Sequence, residues 1–361
     1  MKKIKIRKIK TEDFQLIKEL WELHFGKRGA EKRTISFNLL INDNPLSVLK
    51  DGYYVMEEDD KIIAYEGIMP HKMFLAGNDY DGYIYHDTMV DPAHRGRGLG
   101  TKLVKAVISK NPLFSIAVWM NAPNARVFEK CGWKPVTGLT TYVRGYNAEP
   151  YIKTKSKTVN KLLTTIINSI LSSAYKIEKM FYNYPDKRLN LQTVNRFDGA
   201  VDKLFHAVKN KFGCITYRTK DVLNWKYANK YSSAEYKKII CKVEGELLGY
   251  IVYRTRVVDG GKKLTTVFDY LCSPERIDVF RALLEGAIVE IEKETSDSIE
   301  IMCSNKMLTP ALKRLGFLGA GKNQYALKYI NENMIIKSTF INMADKWHFT
   351  HGDGDRLFWE I

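Results

Sequence analysis

The first third of the chain alternates strand-like and helix-like patterns of apolar and polar residues. Ile4–Arg7 alternates apolar and basic side chains, and Glu12–His24 repeats apolar residues at helical spacing. Two apolar segments then flank the turn-like Glu58-Asp59-Asp60, which predicts a hairpin. The elements that follow are a strand at Tyr83–Val90, a glycine-rich turn at Gly96–Gly100, a helix at Leu99–Ser109, a buried strand at Phe114–Met120 and a helix at Asn124–Cys131. Their order predicts an α/β fold in which helices cover both faces of a mixed (α+β) sheet.

From about residue 190 the same pattern starts again. A second hairpin, a strand, a helix and a strand follow at Lys237–Tyr253, Leu264–Cys272, Arg276–Lys293 and Ile299–Cys303. The best internal match sets Asn121…Gly132-Trp133 against Asn305…Gly316-Phe317, with eleven positions from Asn to Gly in both. Shared order and shared spacing predict a tandem repeat of one fold.

These patterns predict four segments: a first domain at 1–148, a helical linker at 149–189, a second copy at 190–330 and a C-terminal tail at 331–361. Residues 152–182 combine lysines with spaced leucines and isoleucines, which indicates one or two amphipathic helices. A packed linker is the simpler interpretation. A basic helix with one apolar face could also make peripheral membrane contact.

Composition supports a two-domain cytoplasmic protein. A chain of 361 residues with 45% hydrophobic content is long enough for two cores. The apolar runs are shorter than a membrane-spanning helix needs, and the basic start leads into a strand pattern rather than a signal sequence. The five cysteines form no CxxC pair. The net charge of +16 favours anionic partners, but the lysines are spread along the chain, so no specific nucleic-acid site is predicted.

The strongest local signal is the segment from His86 to Thr101, in which a strand turns through alternating glycines into a helix. Gly96, Gly98 and Gly100 would let the backbone approach an anion, and the N–H groups at the start of the helix would point at it. Arg95 and Arg97 would add positive charge at the same place. The segment has neither the dinucleotide fingerprint nor the Gly-Lys-Ser/Thr of a P-loop. A tight strand-to-helix connection without a ligand is the alternative interpretation.

These residues resemble the GNAT superfamily of acyl-CoA-dependent N-acyltransferases. Arg95-Gly-Arg-Gly-Leu-Gly100 fits the family's Arg/Gln-x-x-Gly-x-Gly/Ala loop, after a strand ending in Val90-Asp-Pro and before Asn121…Phe128-Glu-Lys-Cys-Gly-Trp133. The likeness covers about residues 1–145. The second half resembles the fold only through its strand order and its Asn305…Gly316-Phe317 motif. It has no glycines at 274–279, so it is not expected to hold a pyrophosphate.

The resemblance implies an N-acetyltransferase that takes its acetyl group from acetyl-CoA. Backbone N–H groups from Arg97 to Thr101 would hold the pyrophosphate, and the main chain at Met89–Val90 would pair with the pantetheine arm. The Val90 N–H would polarise the thioester carbonyl. The implied coenzyme-binding residues are Thr88, Met89, Val90, Arg95, Gly96, Arg97, Gly98, Leu99, Gly100, Thr101, Asn121, Asn124 and Phe128. The acceptor is an amine, such as an amino sugar or another small amine.

Two residues are candidate bases for the acceptor amine. His86 lies four positions before Val90, an even spacing that would place both side chains on one face of the strand, and imidazoles titrate near neutral pH. By resemblance, a histidine at this position is a base in some family members. Asp87 is expected to face the other way. Glu66, on the neighbouring strand, is the second candidate, acting through water; a purely structural His86 is an equal alternative.

One departure from the family pattern leaves other functions open. Many members carry a tyrosine where this chain has Phe128, and phenylalanine cannot protonate the leaving thiolate. Another tyrosine could supply the proton, or the protein could bind coenzyme A without catalysis. A basic module that contacts membranes or nucleic acid is a further alternative, based on the charge and on 152–182.

The C-terminal segment holds four possible metal ligands, His348, His351, Asp353 and Asp355. Alternating Gly and Asp residues are typical of turns, and aromatic residues surround the histidines. We therefore expect a packed tail and predict no metal site.

Overall fold

A computed structural model describes residues 4–46, 52–110, 114–135, 139–149, 161–180, 188–228, 235–258, 261–320, 325–329 and 347–354. Its helices are α1 Phe14–Asn42, α2 Leu99–Lys110, α3 Ala122–Lys130, α4 Lys161–Met180, α5 Ala200–Val208, α6 Lys220–Tyr227, α7 Ile277–Lys293 and α8 Thr309–Arg314. Its strands are β1 Ile4–Lys8, β2 Tyr53–Glu58, β3 Lys61–Leu75, β4 Asn78–Val90, β5 Phe114–Met120, β6 Lys134–Pro135, β7 Thr140–Gly145, β8 Asn190–Thr193, β9 Cys214–Thr216, β10 Lys237–Val243, β11 Glu246–Val258, β12 Lys262–Cys272, β13 Ser298–Cys303, β14 Leu318–Gly319, β15 Tyr325–Tyr329 and β16 Trp347–His348.

The strands form two mixed sheets with the same internal order. The first runs β1-β2-β3-β4-β5-β15-β6, and the second runs β8-β10-β11-β12-β13-β7-β14. In each sheet the fourth and fifth strands are parallel and are joined by a long helix, α2 or α7. The predicted mixed α/β architecture is confirmed, and the matching order supports the predicted repeat.

The two halves exchange strands. Strand β7 leaves the first half and pairs with β13 and β14 of the second sheet. Strand β15 comes from the second half and pairs with β5 and β6 of the first. Two more strands of the second half, β9 and β16, join the first sheet, because β9 pairs with β3 and β16 with β9. The sheets therefore do not follow the sequence limits 1–148 and 190–330. The alternating patterns of these strands could not show which sheet they would join.

The first helix is longer than its sequence pattern indicated. The spacing predicted a helix over 12–24, whereas α1 runs to Asn42 across a kink at Gly26, whose φ is +69°. Glycine adopts this left-handed value without a Cβ clash, which lets the chain change direction and continue. The extra turns bring Arg33 over the end of β4, where Arg33 contacts Asp87.

Helix α4 forms the described part of the linker and packs through one side only. Asn168 accepts a hydrogen bond from the Ala148 N–H at 2.8 Å, and the Tyr175 hydroxyl donates to the Gly145 carbonyl at 3.0 Å. The predicted linker residues 151–160 and 181–187 lie outside the described residues. None of the helices in the described ranges combines the length and the apolar character needed to cross a bilayer.

Candidate acyl-transfer site

A cleft opens in the first sheet where two parallel strands separate. Strands β4 and β5 pair in register from Gly82 with Phe114 to Tyr85 with Ala117, and the described pairing ends there. Beyond this point the strands diverge and leave a cleft of about 1030 Å³. Its walls come from both strands, from the ends of α2 and α3, and from α1.

The cleft collects almost all the residues that the sequence analysis assigned to the coenzyme. Those that line it are Thr88, Met89, Val90, Arg95, Gly96, Gly98, Leu99, Gly100, Thr101, Asn121, Asn124 and Phe128. His86 also lines it. The segments are distant in sequence, yet the fork of the sheet brings them to one place.

The glycine turn is shaped by two left-handed residues. Gly96 has a φ of +80° and Gly98 a φ of +71°, values that a side chain would disfavour. Helix α2 begins directly afterwards at Leu99, so its first-turn N–H groups, which have no partner inside a helix, lie at the cleft. The positive end of the helix dipole adds to this anion-attracting end of the cleft.

The side chain of Arg97 does not add positive charge to the cleft, as the sequence analysis expected. Its guanidinium donates two hydrogen bonds to Glu58 of β2, at 2.5 and 3.1 Å, and the residue does not line the cleft. The positive charge expected there from Arg97 is thus neutralised by a carboxylate on the neighbouring strand. Arg95 does line the cleft, and its Nη2 lies 3.3 Å from His24 Nδ1.

A β-bulge in β4 changes which side chains share a face. Tyr65 pairs with Met89 and Gly67 with His86, so two residues of β4 lie opposite Glu66 alone. Asp87 occupies this bulge with a φ of +54°. The extra residue reverses the alternation: His86 packs on the α1 side against Tyr53, while Val90 packs on the α2 side.

Two expectations about faces were therefore wrong. His86 and Val90 do not lie on one face, and Asp87 does not point away from the side of His86. Asp87 lines the cleft, and its largely buried carboxylate accepts a hydrogen bond at 3.2 Å from Arg33, which belongs to α1. Even spacing predicts a common face only in a regular strand, and the bulge breaks that regularity.

His86 is held tightly in the cleft wall. Its ring lies edge-on to Tyr53 with 5.6 Å between ring centroids, and a Cβ at Gly67 would come within 2.5 Å of the ring. Both ring nitrogens are buried. The whole side chain is buried in the cleft wall, so neither nitrogen is open to the cleft, and the role of His86 as a base stays a prediction.

Glu66 lies behind the cleft wall rather than in it. It is fully buried and accepts a hydrogen bond from the Thr88 hydroxyl at 3.0 Å. Burial raises the pKa of Glu66 well above its usual value, which the Thr88 hydrogen bond only partly offsets. Thr88, which does line the cleft, separates this carboxyl group from any substrate in the cleft.

The motif after β5 shapes the other wall. Asn121 caps α3 by accepting a hydrogen bond from the Asn124 N–H at 2.9 Å, and the Asn124 amide donates to the Thr88 carbonyl at 3.3 Å. Gly132, with a φ of +89°, ends the helix. Phe128 is buried with its ring edge-on to Tyr85, a cleft-lining residue, at 5.8 Å between centroids.

Three cleft residues from α1 were not foreseen. His24 lies between the Val90 carbonyl and Arg95, 3.2 Å and 3.3 Å from its two ring nitrogens. Because arginine only donates, Nδ1 must accept and Nε2–H must donate, which defines a neutral ring. Burial, followed by the charge of Arg95, lowers the pKa of His24. Arg33 stacks on Phe25, with its guanidinium carbon 3.3 Å from the ring centroid.

The equivalent fork in the second sheet is filled by the tail of the chain. Parallel pairing of β12 and β13 ends at Val267 with Ile301. Beyond it, His348 Nε2 lies 2.8 Å from the Tyr270 carbonyl, and Ser304 contacts the Trp347 carbonyl and accepts from the Phe349 N–H. The tail thus bridges the two diverging strands, as expected of a packed segment.

The possible metal ligands of the tail take part in this packing. His348, His351 and Asp353 are buried, and Asp353 pairs with Arg218 at 2.6 Å. Within the described ranges, no cluster of three or more histidine, cysteine or acidic side chains is arranged to hold a metal ion. Asp355 lies outside the described residues.

Comparison with known proteins identifies the first half. Residues 5–136 match the family model of the acetyltransferase (GNAT) domain. This segment is a GNAT acetyltransferase domain. The matched range contains β1 to β5, the glycine turn and α3, which together build the cleft. No curated protein matches the chain in sequence.

Solved structures of similar fold cover both halves of the chain. A GCN5-related N-acetyltransferase from Anabaena variabilis has a TM-score of 0.62 at 14% identity, covering 91% of this chain and 73% of that one. A probable N-acyltransferase from Enterococcus faecalis gives 0.61 at 15%, covering 92% and 73%. Saccharomyces cerevisiae N-myristoyltransferase with bound myristoyl-CoA gives 0.55 at 13%, covering 91% and 84%. At these identities the likeness concerns the fold.

Proposed function

We propose that the first half of the chain binds acetyl-CoA in the cleft between β4 and β5 and transfers the acetyl group to an amine acceptor, such as an amino sugar or another small amine. The observation that carries this proposal is the fork of the sheet, which opens beside a left-handed glycine turn at the start of α2. An anion at this end meets main-chain N–H groups, the dipole of α2 and Arg95.

The remaining wall suits the rest of the coenzyme. Thr88, Met89 and Val90 form the strand edge along which a pantetheine amide could hydrogen-bond, and Val127 and Phe128 close the opposite side with apolar surface. A thioester carbonyl against this edge would be polarised by the Val90 N–H, an oxyanion-type donor worth about 3 kcal/mol when preorganised. His86 and Glu66 stay predicted proton acceptors, for which measurements on variants are needed.

The test exchanges one glycine of the turn and uses a matched control. Gly98 has a φ of +71° and Gly245, in the β10–β11 hairpin, a φ of +86°; at neither would a new Cβ meet another described atom within 4 Å. Gly98→Asp and Gly245→Asp thus impose comparable backbone strain. Only the first puts a carboxylate where the pyrophosphate would lie.

We expect calorimetry to give one acetyl-CoA per wild-type chain, unchanged binding for Gly245→Asp and no binding for Gly98→Asp. Two equivalent sites, or wild-type affinity in a folded Gly98→Asp protein, would place the coenzyme elsewhere. Release of free thiol with a panel of amino sugars and polyamines tests transfer itself. Binding without thiol release would favour a non-catalytic coenzyme A-binding protein, in line with Phe128.

The exposed surface of helix α4 favours a second role, peripheral contact with a membrane. Helix α4 exposes an apolar stripe. At about 100° of rotation per residue, the side chains of the stripe fall within about 100° of the helix circumference. They are Leu162, Leu163, Ile166, Ile170, Ile177 and Met180. On a chain with a net charge of +16, such a stripe suits peripheral contact with an anionic membrane. Sedimentation with anionic vesicles should fall for Ile166→Asp combined with Ile170→Asp. Equal sedimentation of the wild type with neutral vesicles would argue against this role.

A further inference from the structure

Asp87 is held in a backbone conformation that its side chain does not favour. Its φ of +54° lies in the left-handed region, and the bulge that imposes it stands where β4 separates from β5. Bulges of this kind redirect a side chain beside functional sites. Here the bulge brings the carboxylate to the α1 side of the cleft, next to Arg33.

Among the residues that the structure describes, one of the two carboxylate oxygens has a hydrogen-bond partner and the other has none. Oδ1 accepts from Arg33, whose guanidinium is in turn held against the Phe25 ring. Oδ2 is buried and, within the described part of the chain, accepts no hydrogen bond. His86 Nδ1 lies 3.8 Å from it, beyond hydrogen-bonding distance. A buried carboxylate oxygen without a donor is costly, and a ligand that brings an N–H group would remove that cost.

The charges along the cleft separate two regions. Arg95 and Lys130 line the region that suits an anionic coenzyme, together with the start of α2. Among the described lining residues, Asp87 is the only acid. Arg33 also lines the cleft and takes one oxygen of Asp87, so a primary amine, which is protonated near neutral pH, would find a carboxylate acceptor at Oδ2.

The geometry points to Asp87 Oδ2 as the group that binds the protonated amine of the acceptor and takes a proton from it. This inference rests on the proposed acyl transfer and assigns its acceptor to the class of alkylammonium compounds. An ammonium donates a proton to Oδ2, and the freed nitrogen attacks the thioester carbon. The C–S bond then breaks, and the nitrogen loses its second proton. Of the two protons that the nitrogen has lost, one ends on the coenzyme sulfur and the other passes to solvent.

Two acceptors with different charges test this role in Asp87→Asn. n-Butylamine is protonated at pH 7.5, whereas hydroxylamine is a neutral nucleophile at that pH. With acetyl-CoA as donor, we expect kcat/KM for n-butylamine to fall roughly 10²–10⁴-fold, the scale for losing a general base. The rate with hydroxylamine should fall far less, because that nucleophile needs neither the charge nor the base. Equal losses for both amines in Asp87→Asn would overturn the assignment. A wild-type enzyme that acetylates hydroxylamine but not n-butylamine would overturn it as well.

A control and a second measurement separate this role from a structural one. Asp60, in the β2–β3 hairpin, has a φ of +60°, so Asp60→Asn makes the same chemical change in the same conformation away from the cleft and should leave both rates unchanged. If Asp87 serves a ligand, Asp87→Asn and Asp87→Gly should unfold at the same temperature as the wild type or higher, since asparagine keeps an oxygen for Arg33 without the buried anionic Oδ2, and glycine relieves the left-handed φ.

A clear fall in Tm for both Asp87 variants would show that Asp87 mainly holds Arg33, and the inference would be wrong. Acetyl-CoA affinity should stay at the wild-type value in Asp87→Asn. A wild-type protein that binds no acetyl-CoA would instead refute the proposed function. The unfolding temperatures of the Asp87 variants would then still show whether Asp87 has a structural role.

Discussion

Acidification should destabilise the contact between the two halves through two buried histidines. His71 of β3 and His348 of β16 are both at most 2% exposed. Burial, followed by the charge of Lys226, holds the pKa of His71 well below its usual value. Burial, followed by the charge of Arg218, lowers the pKa of His348 to about 3. The ring of His348 is therefore neutral in the folded protein at pH 5, and burial disfavours the charged form of His71 in the same way.

The sign and size follow from proton linkage. In the unfolded chain each histidine takes up a proton below a pKa of about 6.5, whereas the folded protein does not, so stability falls as the pH decreases. Between pH 7 and pH 5 each such histidine removes about 2 kcal/mol, out of a total that is typically about 5–15 kcal/mol. Glu66 and Asp269 oppose this trend, because burial raises the pKa of both carboxyl groups.

A comparison with His71→Met isolates the effect of one ring. Methionine is of similar size and cannot be protonated, and the carboxyl groups are present in both proteins, so their contributions largely cancel. Urea unfolding at pH 7 and pH 5 should show that the variant loses less free energy than the wild type on acidification, with about 2 kcal/mol as the upper limit of the difference. If both proteins lose the same free energy, to within about 0.5 kcal/mol, His71 is not buried as a neutral ring and the reasoning fails.

Two further predictions concern the tail that fills the second fork. Asp353→Asn removes the buried charge that pairs with Arg218 at 2.6 Å and should lower the free energy of unfolding in urea by about 3–5 kcal/mol; a loss below about 1 kcal/mol would show that the pair is solvated. Gly352→Ala places a Cβ 1.9 Å from the Tyr227 hydroxyl and should lower the same free energy by about 1–3 kcal/mol, whereas unchanged stability would contradict the close packing of the tail.

The features that the sequence predicted well are those whose causes are local. Alternating and helical spacings indicated most strands and helices, because each pattern reflects which face of an element is buried. The glycine turn was recognised because Gly96 and Gly98 must adopt left-handed φ values before a helix. The Asn121…Gly132 and Asn305…Gly316 match has a similar origin: each asparagine accepts a main-chain hydrogen bond at the start of a helix, and each glycine ends one with a positive φ.

The features that it missed depend on partners far away in the chain. Arg33 reaches the cleft because α1 continues past its kink at Gly26, and the salt bridge that draws Arg97 to Glu58 joins residues 39 positions apart. The bulge at Asp87 has no motif, since aspartate tolerates left-handed φ values but does not require them. The exchange of β7 and β15 likewise leaves the pattern of each strand unchanged, because both sheets offer an equivalent edge.

The filled fork suggests why the second half can lack a glycine turn and still keep the fold. Where parallel strands separate, their main-chain groups lose their strand partners and must find others. In the second sheet the tail supplies them: His348 meets the Tyr270 carbonyl, and Ser304 joins the tail to the end of β13. With this fork occupied by the chain itself, glycines at 274–279 would have no ligand to approach. The Arg218–Asp353 pair holds the tail in place in the second fork, whereas the first fork stays open as a cleft.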